Sequence, residues 1–270
     1  MKRPLIMGIL NVTPDSFSDG GRFQSLDAVA SRAVEMVAHG ADWLDIGGES
    51  TRPGAAPVSQ AEEIDRVVPA IEAVRDACPT PVSIDTRKPA VARAAVAAGA
   101  SLWNDITALS EAPDSLETCA ALGCQVVLMH MKGEPRTMQM APAYDDVVAE
   151  VTAMLETRAR AAIAGGVARE AIWLDPRIGF GKRLEHNLAL LARLDRLCAL
   201  GFPIVLGASR KGFIRELDPG AREPLDRLGG SLAVVLAGAR ADVAMVRVHD
   251  VRQTAQALAV AAAIEAAAHG

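Results

Sequence analysis

The chain has 270 residues, of which 50% are hydrophobic and 3% aromatic, and its formal net charge is −5. With so few aromatic residues the core must be mainly aliphatic, which suits parallel strands covered by helices. The acidic balance and the absence of a basic block argue against duplex nucleic acid as a partner. The length suits one large domain or two small ones.

Short apolar runs alternate with longer, Ala-rich amphipathic stretches along the whole chain. In chain order, strands are predicted over Leu5–Leu10, Trp43–Ile46, Val82–Ile84, Leu102–Trp103, Gln125–Met129, Ala171–Leu174, Ile204–Leu206 and Val243–Val246. Helices are predicted near Ser25–Ala38, Gln60–Asp76, Pro89–Ala98, Ser115–Leu122, Asp145–Ala164, Leu184–Leu200, Asp226–Ala239 and Val251–Ala268. This alternation favours a parallel α/β sheet. No linker rich in Pro, Gly or Ser divides the elements, so residues 1–270 are predicted to form a single domain.

An alternation of this length fits a (β/α)8 TIM barrel, which typically has roughly 250 residues. An open, doubly wound sheet is the alternative. The chain has no G-x-G-x-x-G after its first strand and no G-x-x-x-x-G-K-[ST] anywhere. The stretch Gly179-Phe180-Gly181-Lys182 is followed by Arg183 and does not complete the second motif. The TIM barrel is therefore the predicted fold.

Cysteine spacing and the amino terminus bear on the compartment of the protein. The amino-terminal residues lead directly into a short apolar strand, without the apolar region and cleavage site of a signal peptide. No apolar run is long enough to cross a membrane. A cytoplasmic protein with reduced thiols and no membrane partner is expected. The cysteines form no C-x-x-C pair and lack a histidine pair at metal spacing nearby; they are Cys78, Cys119, Cys124 and Cys198.

Polar residues follow most of the predicted strands, where a packed core would exclude them. Taken singly, an Asp such as Asp45 or Asp85 would equally suit the N-cap of the next helix. Because the C-terminal ends of barrel strands open into the active site, several such side chains together are expected to converge there. The residues that close the strands are Asn11, Asp45, Asp85, Asn104, Met129, His130, Asp175, Gly207, Ser209, Arg210, Lys211, Arg247 and His249.

The chemistry of this set excludes some kinds of catalysis and indicates another. Ser209 lies in Gly-Ala-Ser-Arg-Lys rather than in G-x-S-x-G, and the five histidines are too scattered for a metal centre. A carboxylate accepts two hydrogen bonds from the amidine-like edge of a planar heterocycle, and arginine holds phosphate groups. The set therefore predicts a site for a small amino-oxo heterocycle that carries an anionic group.

The connections after the first two strands are long and unusual in composition. Residues Asn11–Gly21 and Gly47–Ala55 are rich in Gly, Pro and hydroxyl residues. Long loops at this end of a barrel commonly act as lids. Both loops are predicted to close over the site.

Together these segments resemble, in the same order, the successive motifs of the dihydropteroate synthase family of pterin-binding enzymes. The motifs are Asn11–Gly21, Asp45–Ala55, Ser83–Arg87, Asn104–Ile106, Met129–Gly133, Asp175–Lys182, Gly207–Gly212 and Arg247–Asp250, and they span nearly the whole chain. The resemblance implies a TIM-barrel transferase that condenses 6-hydroxymethyl-7,8-dihydropterin pyrophosphate with p-aminobenzoate. The products would be 7,8-dihydropteroate, for folate biosynthesis, and pyrophosphate. The resemblance also implies a homodimer and a sulfonamide target.

The resemblance implies a role for each matching residue. Those expected to hold the pterin are Asp85, Asn104, Asp175 and Lys211, with Met129 and Phe180 lining its slot and Gly207 allowing close approach. Those expected around the pyrophosphate are Asn11, Thr51, Arg52, Arg247 and His249, and Asn11 would help to position Mg²⁺. Those expected around p-aminobenzoate are Phe17, Thr51, Pro53, Ser209 and Lys211. Asp45 resembles a supporting carboxylate, and the catalytic residues implied are Asp85, Lys211, Arg247 and His249.

The implied reaction transfers a pterin-methyl group to an aniline nitrogen. Mg²⁺, Arg247 and His249 would neutralise the departing pyrophosphate. The electron-rich pterin would delocalise the methylene cation, and Asp85 would stabilise that charge. An SN1-like step without a strong general base is therefore expected.

The chain departs from the family pattern at Arg177, where the family usually has glycine. If the position needs a positive φ, arginine costs strain on the order of 1 kcal/mol there. Its cation would also lie near the entrance for the pterin. The shape of this loop is the feature that the resemblance leaves open.

Two alternatives remain open from the sequence. A methyltetrahydrofolate:corrinoid methyltransferase shares the barrel and the strand-end Asp and Asn residues, but has no use for the lid loops or the pyrophosphate cations. A catalytically silent, pterin-binding paralogue is expected to lack a lid or anion residue, and only Arg177 points toward it. His130 is predicted to be a hydrogen-bonded structural residue rather than a ligand.

Overall fold

A computed structural model describes residues 2–12, 22–49, 57–133 and 142–268. The strands in these residues are β1 (Leu5–Asn11), β2 (Trp43–Gly47), β3 (Val82–Asp85), β4 (Leu102–Asp105), β5 (Gln125–Met129), β6 (Ile172–Asp175), β7 (Val205–Leu206) and β8 (Met245–Val248). They form one parallel sheet in the order β6-β5-β4-β3-β2-β1-β8-β7. A parallel bridge between Leu174 and Ile204 joins the two ends of the sheet. The predicted (β/α)8 TIM barrel is confirmed.

Helices follow the strands and pack on the outside of the barrel. They are α1 (Arg22–Ala38), α2 (Gln60–Ala77), α3 (Pro89–Ala97), α4 (Ser115–Leu122), α5 (Val147–Ala164), α6 (Leu184–Ala192), α7 (Leu194–Cys198), α8 (Phe213–Leu217), α9 (Leu228–Arg240) and α10 (Val251–Ala268). Short 3₁₀ turns precede β6 and α9, at Arg169–Ala171 and Pro224–Arg227. Among the described helices, none combines the length and the apolar character needed to cross a membrane.

Several predicted elements differ from the structure in their bounds, and two of these differences have a visible local cause. The stretch Leu184–Leu200, predicted as one helix, is interrupted at Arg193, where φ is −128° and ψ is 33°. The last strand begins at Met245 rather than at Val243. The Val243 N–H instead donates to the Gly238 carbonyl at 3.1 Å and closes the C-terminal turn of α9.

Local signals in the sequence fix several helix ends. The Ser59 hydroxyl accepts a hydrogen bond from the Glu62 N–H at 3.2 Å and caps α2, as expected of a serine N-cap. The Asp146 carboxylate caps α5 in the same way. Helix α4 ends at Gly123, whose φ of 61° is the left-handed conformation that glycine adopts without steric cost.

The core has two parts because strand side chains alternate between the two faces of the sheet. Outward-facing residues such as Leu44 belong to one cluster with helical residues such as Val67 and Ile71. Inward-facing apolar residues form a separate cluster, which we call the barrel floor. The barrel floor consists of Met7, Leu102, Val127, Val205 and Met245.

Candidate active site

The inward-facing layer above the barrel floor is mostly polar. Because side chains alternate with period two, the residue two places after each floor residue also points into the barrel. Leu102 is thus followed by Asn104, and Met245 by Arg247. The residues of this layer come from β2, β3, β4, β5, β6 and β8 and from the residue after β7: Asp45, Asp85, Asn104, Met129, Asp175, Arg247 and Gly207.

Arg247 joins the carboxylates of Asp45 and Asp85 across the barrel interior. Its Nε donates to Asp45 Oδ2 at 2.5 Å, and its Nη2 donates to Asp85 Oδ2 at 2.6 Å. Since β1 separates β8 from β2 and β3 in the sheet, these contacts cross the interior. The Asn104 amide donates to the same Asp45 oxygen at 3.2 Å. The sequence predicted Arg247 near the pyrophosphate but not this pairing.

Burial sets the charge states of this ion-pair cluster. The side chains of Asp45, Asp85 and Arg247 are 0%, 12% and 10% exposed. Burial raises the pKa of Asp85 to about 6, with Arg247 opposing the shift and Asp45 adding to it. Burial lowers the pKa of Arg247, but Asp45 and Asp85 outweigh it and the net shift is upward. Arg247 therefore stays charged, while Asp85 loses its charge in mildly acidic solution.

Besides Asp45 Oδ1, two buried oxygen atoms of this layer lack a hydrogen-bond partner among the described residues. They are Asp175 Oδ2 and Asn104 Oδ1. Asp175 Oδ1 accepts from the backbone N–H of Arg177 at 2.6 Å, while Oδ2 lies 3.7 Å from an ideal Cβ built on Gly207. A buried acceptor without a partner costs about 1–3 kcal/mol. Both atoms are therefore suited to accept hydrogen bonds from a bound molecule.

Phe180 forms an aromatic wall beside these acceptors. Its side chain belongs to a cluster with Ile106 and Met129. Lys211 Nζ lies 4.5 Å from the Phe180 ring centroid. Burial, followed by Arg177, lowers the pKa of Lys211 well below its usual value. The structure thus brings together an aromatic wall, two acceptors and an amine. They belong to six residues that were predicted around a flat heterocycle, and their role in binding one stays a prediction: Asn104, Met129, Asp175, Phe180, Gly207 and Lys211.

Lys182 forms hydrogen bonds to the loop between β6 and α6, and the sequence did not predict these contacts. Its Nζ donates to the carbonyls of Arg177 at 3.0 Å and Phe180 at 3.4 Å, and lies 3.0 Å from His130 Nδ1. Burial lowers the pKa of Lys182 to about 7. Burial and then Lys182 lower the pKa of His130 to about 3, so His130 is neutral. The prediction that His130 is a hydrogen-bonded structural residue is confirmed.

The loop that Lys182 supports has a left-handed backbone at four positions. Arg177 and Phe180 have φ values of 49° and 42°, and Gly179 and Gly181 have values of 87° and 74°. The positive φ at Arg177 is the conformation for which a glycine would be preferred. Arg177 therefore has the positive φ at which an arginine in place of glycine costs strain on the order of 1 kcal/mol.

Ser209 and His249 contact each other at the ends of β7 and β8. Ser209 Oγ lies 3.0 Å from His249 Nδ1 and accepts the His249 backbone N–H at 3.2 Å. Burial, then Arg247 and Arg210, lower the pKa of His249 to about 3. The imidazole is therefore neutral at physiological pH, and it offers an anion a hydrogen bond rather than a full positive charge.

Comparison with known proteins assigns this barrel to a family. The model of the pterin binding enzyme family matches residues 7–249. Dihydropteroate synthase of Escherichia coli (strain K12) is 47% identical over 261 residues, which cover 96% of this chain and 91% of that enzyme. This chain belongs to the dihydropteroate synthase family. It is a transferase of folate biosynthesis, as the motifs implied.

Solved dihydropteroate synthases share the fold over their whole length. The enzyme of Xanthomonas albilineans with 4-aminobenzoic acid has a TM-score of 0.91 and 48% identity, covering 98% of this chain and 94% of that one. The same enzyme with 7,8-dihydropteroate has a TM-score of 0.88, 46% identity and the same coverage. The Yersinia pestis enzyme with a sulfonamide drug has a TM-score of 0.91 and 44% identity, covering 98% and 95%. These relatives favour the synthase over the corrinoid methyltransferase.

Asn11 is the one described residue predicted to help hold a divalent metal in this dihydropteroate synthase. It ends β1 and is exposed, and its Oδ1 and the Asp85 Cβ each lie 3.6 Å from an ideal Cβ on Gly47. No group of three His, Cys, Asp or Glu residues in the described part of the chain could hold a metal. Mg²⁺ commonly binds one or two protein oxygens together with water and substrate phosphates. Asn11 fits a metal held mainly by the substrate.

Most of the two loops that were predicted to act as lids falls outside the described residues, and so do four predicted site residues. These are Phe17 in the first loop and Thr51, Arg52 and Pro53 in the second. The structure does show what flanks the second loop. Lys88 Nζ contacts Glu49 Oε2 at 2.9 Å, the Val58 carbonyl at 2.7 Å and Glu63 Oε2 at 2.5 Å. One lysine thus ties together the chain before and after residues 50–56.

Proposed function

We propose that the mouth of this barrel binds 6-hydroxymethyl-7,8-dihydropterin pyrophosphate and p-aminobenzoate together and condenses them to 7,8-dihydropteroate. The observation that carries the proposal is the pair of buried, unpartnered acceptors, Asp175 Oδ2 and Asn104 Oδ1, beside the Phe180 ring. The amino and ring N–H groups of a pterin are the donors that such acceptors require. The ligands of the Xanthomonas albilineans enzyme support the same pair of substrates.

The pterin lies in the slot between Phe180 and the polar layer. The Asp175 carboxylate accepts from the 2-amino group and the adjacent ring N–H, a bidentate arrangement that fixes the orientation of the ring. Lys211 donates to a ring nitrogen or to the carbonyl. Met129 contacts the flat face, and Gly207 leaves room because it has no side chain.

The pyrophosphate lies at the outer rim of the slot. Asp45 and Asp85 already orient Arg247 through its Nε and Nη2, and we assign its Nη1 to the anion. His249 adds a hydrogen bond from its neutral ring. Asn11, Thr51 and Arg52 complete this group. Asn11 would hold Mg²⁺, and when bound, the ion lowers the charge of the pyrophosphate and makes it a better leaving group.

Asp85 stabilises the positive charge that develops as the pyrophosphate leaves. Its carboxylate is preorganised by Arg247, so no reorientation is needed when the methylene cation forms. The p-aminobenzoate amine then attacks, seated by Ser209 and Lys211 with Phe17, Thr51 and Pro53 of the loops. The aniline needs no strong base because the proton that it loses leaves after the new C–N bond has formed.

Turnover is the first test. Purified protein is incubated with the pterin pyrophosphate, p-aminobenzoate and Mg²⁺, and dihydropteroate is followed by chromatography, with an Asp175→Asn variant as the control. Product that falls sharply in Asp175→Asn supports the synthase and its pterin clamp. A folded protein that binds pterin but forms no product would instead be the silent paralogue, and corrinoid-dependent methyl transfer would identify the methyltransferase.

The order of bond breaking has its own test. An SN1-like path predicts slow release of pyrophosphate from the pterin substrate when p-aminobenzoate is absent, since water can capture the cation. A coupled pyrophosphate assay measures that release. A strict requirement for p-aminobenzoate would contradict the dissociative path.

The assembly and the compartment also belong to this proposal. Leu188 of α6 and Val260 and Ile264 of α10 are 40%, 54% and 66% exposed. Such side chains suit a contact between two copies of the chain, so we propose a homodimer in the cytoplasm. Light scattering coupled to size exclusion would read twice the mass of one chain, and a monomer at all concentrations would contradict the dimer.

A further inference from the structure

The guanidinium group of Arg177 lies inside the slot assigned above to the pterin. Its Cζ is 4.3 Å from the Phe180 ring centroid, and its Nη1 is 3.7 Å from Asp175 Oδ2. The same Nη1 is 3.9 Å from an ideal Cβ built on Gly207. Phe180 is the aromatic wall of the slot, Asp175 is its acceptor and Gly207 is its open side. Arg177 is only 3% exposed, so the group is enclosed by the barrel mouth.

The guanidinium group shares its chemistry with the part of the ligand whose place it takes. The 2-amino-pyrimidinone end of a pterin carries N–H donors around one planar carbon, and a guanidinium carries the same kind of planar fork. Both groups stack on aromatic rings, and both direct N–H donors at a carboxylate. A pterin stacked on Phe180 and paired with Asp175 would therefore occupy the same space as the Arg177 side chain.

The contacts that hold the Arg177 side chain in place are weak. Its Nε and Nη1 are buried without a hydrogen-bond partner in the described part of the chain. The distance to Asp175 is too long for a hydrogen bond. Burial, and then the charge of Arg247, lower the pKa of Arg177. Lys211 contacts the same aromatic ring. A ligand with better hydrogen bonds can therefore displace this side chain.

We propose that Arg177 is a built-in competitor of the pterin, whose guanidinium group fills the slot and must swing out before the pterin binds. This inference rests on the pterin slot of the proposed function. It makes Arg177 the residue that sets pterin affinity in this chain. The apparent Kd for the pterin equals the intrinsic Kd divided by the fraction of molecules whose slot is open.

Two substitutions test the competition. Arg177→Gly removes the side chain and suits the left-handed backbone. Arg177→Asn also removes the guanidinium and keeps a residue that tolerates a positive φ. If the open conformer has a population of about 10%, both variants lower the Kd for 6-hydroxymethylpterin about tenfold in calorimetry. The KM for the pterin pyrophosphate falls in parallel, whereas the KM for p-aminobenzoate stays within about twofold, since only the pterin slot is blocked.

Free guanidinium ion provides a second, independent probe. In Arg177→Gly, guanidinium chloride is expected to inhibit competitively against the pterin, at concentrations far below those that unfold the protein. Potassium chloride at equal ionic strength is the control. With about 10% of the slots open, the unsubstituted protein should need about ten times as much guanidinium for the same inhibition at low pterin concentration, because its own arginine occupies the position in the other molecules.

The outcomes separate this inference from the proposed function. Tighter pterin binding in both variants, with guanidinium competition at about tenfold lower concentration in Arg177→Gly than in the unsubstituted protein, supports the competitor. Unchanged or weaker pterin binding in both variants overturns it, and weaker binding would make Arg177 a pterin ligand. Calorimetry does not depend on turnover, so the result for Arg177 stands even if no protein forms dihydropteroate. Absence of pterin binding in all three proteins would overturn both proposals.

Discussion

Asp85 has a charge that depends on pH in mildly acidic solution. Burial raises the pKa of this carboxyl to about 6, so it takes up a proton well above the usual pH for an aspartate. Its negative charge, which the proposed mechanism uses to stabilise the methylene cation, is present above that pH and is lost as the pH falls through it.

We expect kcat/KM for the pterin pyrophosphate to decline below a pH of about 6, since this parameter reports groups of the free enzyme. Asp85→Asn keeps the size of the side chain and removes the charge, so kcat should fall by about 10²–10³. A pH–rate profile measures the decline, and circular dichroism at each pH excludes unfolding. A flat profile through this range, with near-normal turnover in Asp85→Asn, would show that the charge is not used.

Among the elements, the loop between β6 and α6 depends on one buried lysine. Lys182 is 3% exposed and satisfies two loop carbonyls, those of Arg177 and Phe180. Lys182→Met keeps the length of the side chain and leaves these carbonyls without their donor. We expect a loss of about 2 kcal/mol in unfolding free energy, because each buried, unpaired carbonyl costs about 1–3 kcal/mol. Since the same loop carries Phe180, the KM for the pterin pyrophosphate should rise more than the KM for p-aminobenzoate.

The matched control for this prediction is Lys132→Met. Lys132 also donates to a backbone carbonyl, but its side chain is 46% exposed and pairs with Glu150 on the surface. The same chemical change there should alter stability by less than about 1 kcal/mol and leave the pterin KM unchanged. Equal effects of the two substitutions, measured by urea unfolding and initial rates, would contradict a positioning role for Lys182.

The connection between β2 and α2 depends on a half-buried lysine. Lys88 is paired with Glu63, whose side chain is 0% exposed, and with Glu49. Lys88→Met leaves a buried carboxylate without its partner, so the unfolding free energy should fall by about 3–5 kcal/mol.

A double variant separates the ion pair from the packing around it. Lys88→Met with Glu63→Leu removes both charges, and replacement of a whole buried pair by apolar residues is often close to neutral. The double variant should therefore be more stable than Lys88→Met alone in urea unfolding. Additive losses would show that the two side chains do not act as a pair.

For the whole molecule, the order of strands and helices follows from periodicity, and the choice of a barrel over an open sheet follows from the chain length and the missing nucleotide-binding motifs. The site follows in outline. Alternating apolar runs predict the order of strands and helices, and the C-terminal ends of parallel strands meet at one mouth. This geometry is why Asn104, Asp175 and Arg247 are correctly placed together although they are far apart in sequence. Because side chains alternate along a strand, the neighbouring Asp105 points away from the barrel interior. Asp105 ends β4 like a site residue, yet its carboxylate accepts from Thr107 and Leu109 and stabilises the following turn.

The sequence could not predict which side chains contact each other across the barrel interior. The pairing of Arg247 with Asp45 joins residues 202 positions apart, and no local pattern marks it. Lys182 follows a Gly-rich stretch and gives no sign that it points inward. The break at Arg193 is invisible to periodicity because apolar residues continue on both sides of it. The contacts of the Arg177 side chain with Phe180 and Asp175 likewise could not be predicted from the sequence, because they depend on the three-dimensional structure.

The site gives the whole molecule an unusual dependence of stability on pH. Burial lowers the pKa of Lys182 to about 7 and that of Lys211 well below its usual value. Above neutral pH the unfolded chain therefore keeps a proton on Lys182 that the folded protein loses, and stability rises with pH by up to about 1.4 kcal/mol per pH unit from this lysine. The lowered pKa of Lys211 acts in the same direction. We expect the free energy of urea unfolding to increase between pH 7 and about pH 8, below the usual cysteine pKa of about 8.5.

Substitution of both lysines by methionine should flatten this increase, since it removes the two groups whose proton binding differs most between the folded and unfolded states. Exposed lysines such as Lys132 should make no contribution. A free energy that falls over the same interval in the unsubstituted protein would mean that both amines stay protonated inside the barrel. The measured slope therefore reports how much stability the enzyme gives up at neutral pH in order to keep amine donors buried beside the pterin slot.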